Sequence, residues 1–191
     1  NSPKQSELEL LNRARDKFAI LDDDSKLEKL DAPDHWVKMQ ALQIDGEKGA
    51  CGRSRTVVDA SIEDCAAFDI EKNTRRHKAA NFYKEGGLGF GSRKVSDHAF
   101  IYHLIIDLNI KGFAPREWIS KIVWHRVDAD TLELAYEDCE DSGIEDKGYV
   151  RANAHTLITF TRLPAAGGVP QTAVTFSSRV SLNGVDRKSV V

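Results

Sequence analysis

The chain has 191 residues, 41% hydrophobic and 30% charged, enough for one sizeable core. With 27 basic and 30 acidic residues the formal net charge is −3, so overall charge argues against a nucleic-acid partner. Three cysteines (Cys51, Cys65, Cys139) without C-x-x-C spacing argue against a disulfide framework or zinc site, and no run has the ~18 apolar residues of a membrane span. A reducing, cytoplasmic setting is expected. Asn1 stands where an initiator Met belongs and the chain stops abruptly at Val190-Val191, so a piece of a longer protein with other domains is expected.

In chain order, Leu8, Leu11, Ala14, Phe18 and Leu21 recur at helical spacing among charges and predict an amphipathic helix over about residues 6–21. Residues 22–34 are acidic and end in A-P-D, which reads as a loop. Residues 1–30 are thus taken as helix and linker, and 31–191 as the domain proper. A strand is predicted over 36–44, opened by Trp36, with a D-G turn at Asp45-Gly46, and a second over 52–59. Ser61 is a candidate N-cap with Asp64 at N3, a shorter relative of the capping box. The helix it opens carries Ala66, Phe68 and Ile70 and is predicted to end near Arg75-Arg76-His77-Lys78, where cations complement its dipole. Contact of this basic run with anionic headgroups ranks below that capping role.

A glycine-rich loop is expected at 86–91, then strands over 99–109, 118–127, 131–137, 149–163 and 171–182. Asp128-Ala129-Asp130 predicts a tight hairpin and residues 164–170 a looser one, and such short connections imply antiparallel order.

The run G-G-L-G-F-G (86–91) fits neither G-x-G-x-x-G nor G-K-[ST], so it reads as a loop rather than a phosphate cradle. From Asp138, Gly143 falls at the sixth position of a calcium loop, but the twelfth is Tyr149 instead of a bidentate Glu. The six histidines form no H-x-x-x-H or H-E-x-x-H, and no nucleophile elbow is present. No metal, cofactor or catalytic residue is expected, and the chain does not read as an enzyme. The one acid–base pair to name is His103 with Asp107, four residues apart on a predicted strand.

The strands carry the strongest functional signal. In 99–109 one face holds Phe100, Tyr102, Leu104, Ile106 and Leu108, and the other Ile101, His103, Ile105 and Asp107. Neither face is cleanly polar, so both are covered, and isolated polar groups among aliphatics suit a ligand cavity. Ser120, Ile122 and Trp124 present a similar mixture on the next strand.

Several short motifs follow in order: Trp36 opening the first strand, V-V-D-A-S-I-E-D (57–64), A-P-R-E-W (114–118), G-Y-V-R-A (148–152) and S-L-N-G-V (181–185). Over about residues 30–191 they resemble the START domains, the steroidogenic-acute-regulatory-related lipid-transfer family, whose S-P-R-D-F corner, G-x-V-R-A strand and D-x-x-G-x-x-P turn they parallel. The resemblance implies an α+β helix-grip fold. In it a curved antiparallel sheet lines a hydrophobic cavity, with an N-terminal helix and a C-terminal lid helix that would follow Val191. It also implies a lipid or sterol ligand, bound for transfer or sensing, with transient membrane contact.

At the corner, Pro115 would fix φ, Arg116 and Glu117 would stay polar, and Trp118 would plug inward. Strand alternation then names His103, Ile105, Ile122, Trp124, Leu134, Tyr136 and Phe176 as the ligand-binding wall, an assignment that a one-residue register error would invert. Arg151, the arginine of V-R-A, is expected to serve the sheet. Two departures from the family pattern are expected to matter: Val185-Asp186 replaces I-P in the last turn, and the lid helix expected after Val191 is missing from the sequence. In addition, His103 and Ile122 stand where some members carry a carboxylate and an arginine. Two other readings remain open, a regulatory or protein-interaction module of a longer protein and a helix-grip cyclase- or hydrolase-type enzyme.

Overall fold

The computed structural model describes residues 2–44, 50–72, 74–75, 78–79, 86–141, 143–145 and 147–183. Helix α1 (Gln5–Phe18) continues as a 3₁₀ turn over Ala19–Leu21, and its stripe of Leu10, Leu11, Ala14, Phe18 and Leu21 is buried. Glu7 is buried at its start, where its carboxylate accepts from the Lys4 backbone N–H (2.7 Å) and the Ser96 hydroxyl (2.6 Å).

The acidic stretch 22–34 is not all loop. Asp24–Lys26 forms a 3₁₀ turn and Glu28–Leu30 forms the edge strand β1, paired antiparallel with β2 (Lys38–Gln43). All three β1 residues are exposed, so backbone pairing alone holds them and no apolar alternation marks them. The D-G turn at 45–46 lies outside the described residues. After β3 (Ala50–Val58), Ser61 caps α2 (Ile62–Ile70): its hydroxyl oxygen accepts from the Asp64 N–H at 3.1 Å and its O–H donates to the Asp64 carboxylate at 2.6 Å. Contrary to expectation, α2 ends at Ile70, before the basic run, with the Glu71 N–H on the Ala67 carbonyl (2.8 Å). Arg76 and His77 of that run lie outside the described residues.

The glycine run expected as a loop is instead strand β4 (Gly87–Lys94), paired with β5 (Ala99–Ile106). A Cβ at Gly89 would come 2.8 Å from Ile105 Cδ1, so this glycine lets the strand lie close, and it removes the side-chain signal of a strand. The remaining strands are β6 (Arg116–Arg126), β7 (Thr131–Asp138), β8 (Val150–Arg151), β9 (Asn153–Ala166) and β10 (Val169–Ser181). Strand β9 runs through Pro164, and the expected loose loop is a tight Gly167-Gly168 turn with φ of 59° and 82°, values that glycine alone adopts freely.

The ten strands form one sheet in the order β1-β2-β3-β10-β9-β7-β6-β5-β4, antiparallel except where β8 pairs parallel with β6 at Arg116 and Glu117. On one face, Leu10, Leu11 and Ala14 of α1 pack with Ala99, Val123 and Ala135, and Phe18 and Leu21 pack with Cys51. On the other, Ile62 and Ala66 of α2 pack with Ile122, Leu132, Leu134, Ile158 and Phe160. The nine residues of α2 cover only part of that second face.

Candidate functional site

Directly paired residues of an antiparallel sheet share a face, so the register shows which side chains meet. One row across the sheet runs Phe100–Ile122–Tyr136–Thr156–Ser178, and the next runs Trp124–Leu134–Ile158–Phe176. Five of the seven expected wall residues, Ile122, Trp124, Leu134, Tyr136 and Phe176, therefore stand together on the α2 face. Their surroundings differ. Ile122 and Leu134 are buried beneath α2, Trp124 donates its indole N–H to the Asp97 carbonyl (3.0 Å), and Phe176 is 41% exposed.

His103 and Ile105 lie on the opposite face. In the β5–β6 register Tyr102 stands against Ser120 and Phe100 against Ile122, whereas His103 faces Ile119 and Ile105 faces Glu117. This corrects the grouping of His103 with Ile122 and Trp124. Both faces of β5 are apolar, so alternation separates them without showing which one meets the Ser120–Ile122–Trp124 face of β6. The nominated acid–base pair also separates: β5 ends at Ile106, and the Asp107 carboxylate accepts from the Asn109 backbone N–H at 2.8 Å.

The partner of His103 is Glu117, with Nε2 at 2.8 Å from Oε1. Glu117 is 6% exposed, and Arg151 approaches its second oxygen at 3.6 Å. Arg151 also donates to the Cys139 carbonyl (2.7 Å) and the Ile119 carbonyl (3.2 Å), tying β6 to the chain beyond β7. A cavity of about 290 Å³ adjoins this cluster, lined in part by Glu117, Ile144, Tyr149 and Arg151.

The corner itself departs from expectation, because Arg116 and Glu117 are buried rather than polar at a surface turn. Arg116 is 0% exposed, donates to the Leu182 carbonyl (2.7 Å) and the Ala114 carbonyl (2.6 Å), and lies over the Phe113 ring. Trp118 is half-buried on the α2 face beside Leu104.

Sequence reasoning missed a polar cluster on the α2 face. Just past α2, Lys72 Nζ lies 5.3 Å from the Tyr136 ring centre and 5.8 Å from that of Tyr102. Its ion pair is with Asp69 at 3.4 Å. The Tyr136 hydroxyl oxygen is buried with no hydrogen-bond partner, and burial pushes this phenol well above the ordinary tyrosine value, so it stays protonated and can donate. Lysine and aspartate at (i, i+3) after a helix look like any surface pair in sequence. Only the fold brings the two tyrosines beneath them.

Among the described residues no group of His, Cys, Asp and Glu could hold a metal ion, and no helix is long and apolar enough to cross a membrane.

No family model and no curated protein matches the sequence. Solved structures do match. Human StAR-related lipid transfer protein 5 aligns with TM-score 0.72 and 15% identity over 94% of this chain and 84% of its own. The human StarD13 (DLC2) lipid transfer and protein localization domain aligns with TM-score 0.65 and 15% identity over 96% and 86%. A STAR-related lipid transfer protein from Xanthomonas axonopodis aligns with TM-score 0.66 and 13% identity over 85% and 84%. With its open antiparallel sheet and N-terminal helix, the chain has the START-like α+β helix-grip fold.

Proposed function

We propose that this chain binds a hydrophobic ligand of the lipid or sterol class on the α2 face of its sheet, for transfer or sensing. The observation that carries this reading is the apolar surface that α2 leaves open: Phe176 is 41% exposed, and Tyr102, Trp124, Tyr136 and Val174 are half-buried. The compared structures, named for lipid transfer, support it. A guest would gain ~25 cal/mol for each Å² of apolar surface removed from water. Phe176, Trp124 and Tyr136 would touch it, while Ile122 and Leu134 would support the wall from beneath α2. His103 and Ile105 take no part in this proposal. The His103–Glu117 pair sits on the other face, which favours a carrier or sensor over an enzyme.

Native mass spectrometry of the purified protein, followed by organic extraction, tests the reading. The expected result is a co-purifying lipid or sterol mass that disappears in Phe176→Glu while the unfolding temperature holds, since this ring already meets solvent. A clean unliganded mass after incubation with a broad lipid mixture would overturn it.

A further inference from the structure

We infer that the Lys72–Tyr136 end of the α2 face is a head-group subsite that takes an anionic head, a phosphate or carboxylate carried on an apolar tail; this rests on the ligand reading above. Lys72 is mostly withdrawn from water, its side chain 17% exposed, yet its acid partner Asp69 stands at the long distance of 3.4 Å. An ammonium offers three donors and no acceptor. The Tyr136 hydroxyl adds a buried donor without a partner, a costly state that an incoming acceptor would relieve. Lys72 Nζ lies over the face of this same ring, 5.3 Å from its centre, so both donors belong to one patch.

A second cation serves the same patch. Lys78 Nζ lies 5.0 Å from the centre of the Phe90 ring, which packs edge-on against Tyr102 at 5.3 Å. Lys72 and Lys78 thus set two cations beside these aromatic rings on a chain whose net charge is −3. A cationic head would be repelled, and a lone hydroxyl would answer only one of the donors. The oxygens of a phosphate or carboxylate answer both Lys72 and Tyr136.

The test uses the whole chain, stripped of lipid, and tryptophan fluorescence titrations with oleyl phosphate, oleate, oleyl alcohol and inorganic phosphate. The tail is shared, so the head alone varies. We expect the two anionic amphiphiles to bind about tenfold or more tightly than the alcohol, with inorganic phosphate alone far weaker. Lys72→Met should erase that preference by weakening the anions far more than the alcohol, Lys72→Arg should keep it, and Tyr136→Phe should cost the anions a few-fold. Equal affinity for all tailed ligands, untouched by Lys72→Met, would overturn the subsite while leaving the ligand reading intact. Tight inorganic phosphate without binding of any tailed ligand would overturn both, as would no binding at all.

Discussion

Replacing Arg116 by methionine tests whether the buried corner arginine ties the end of β10 to the start of β6. Methionine keeps much of the stem but deletes the guanidinium, and with it the bonds to the Leu182 carbonyl (2.7 Å) and the Ala114 carbonyl (2.6 Å). Hydrogen bonds from a charged donor contribute about 1.5–3 kcal/mol each, and removing the buried cation returns part of that as relieved desolvation. The net loss should be about 2–4 kcal/mol, a large share of the 5–15 kcal/mol typical of a folded domain. Urea denaturation should show a midpoint lower by about 1 M or more at unchanged slope. Amide exchange should quicken at Ala152, whose N–H bonds the Glu117 carbonyl next to the corner (2.9 Å). Arg116→Lys keeps the charge and the reach for one carbonyl, so it should fall between wild type and Met. A methionine variant as stable as wild type, or a lysine variant worse than methionine, would refute the argument and show that burying the cation costs more than its bonds return.

Leu11, fully buried between α1 and the sheet, should cost about 2–5 kcal/mol when changed to alanine, measured by chemical denaturation; a loss below about 1 kcal/mol would mean that α1 is not docked as described. Histidines provide a pH prediction. Burial, reinforced by Arg15 beside His125 and Lys17 beside His155, holds both below the ordinary value of 6.5. The unfolded chain then takes up protons more readily than the native one, so stability is full above that value and falls as pH drops through it. Melting temperatures between about pH 8 and 5 should decline toward acid, less steeply in His155→Gln, and a flat wild-type profile would contradict this.

Much of the fold was legible because several strands carry runs rich in apolar residues that are buried, as in Ile119–Val123 and Leu132–Tyr136. The failures have specific causes. Strand β1 has no buried face, and β4 carries glycines at 87, 89 and 91, so neither shows side-chain alternation. The site was half legible for a different reason. Strand period assigns residues to two faces, but pairing decides which face of one strand continues onto the next, and the register between β5 and β6 is set by the intervening loop. That single relation moved His103 and Ile105 away from Ile122 and Trp124 and brought His103 to Glu117. The buried Arg116 was missed because its acceptors, one of them the carbonyl of Leu182, are remote backbone groups invisible to pattern.

Helices α1 and α2 are held by different chemistry, and the contrast bears on function. Helix α1 is fixed by its leucine stripe and by two arginine clamps: Arg13 grips Glu137 through Nε (3.1 Å) and Nη2 (2.6 Å), and Arg15 grips Glu133 through Nε (2.8 Å) and Nη2 (2.6 Å). On that face both clamp arginines meet carboxylates, although the Nε of Arg53 is buried there without a partner. Helix α2 is pinned at its N-terminal end, where Glu63 pairs with Arg126 (2.7 Å) and Arg162 (3.3 Å) and Thr172 donates to the Ala60 carbonyl (2.8 Å). Its C-terminal end has instead the long Lys72–Asp69 pair above a tyrosine hydroxyl with no acceptor. A fold selected only for stability would gain by closing that gap with a carboxamide or carboxylate. Leaving the buried Tyr136 hydroxyl unmet beside an open apolar surface makes sense if the acceptor arrives with the ligand, because the cost carried by the empty protein then becomes selectivity for the head that relieves it.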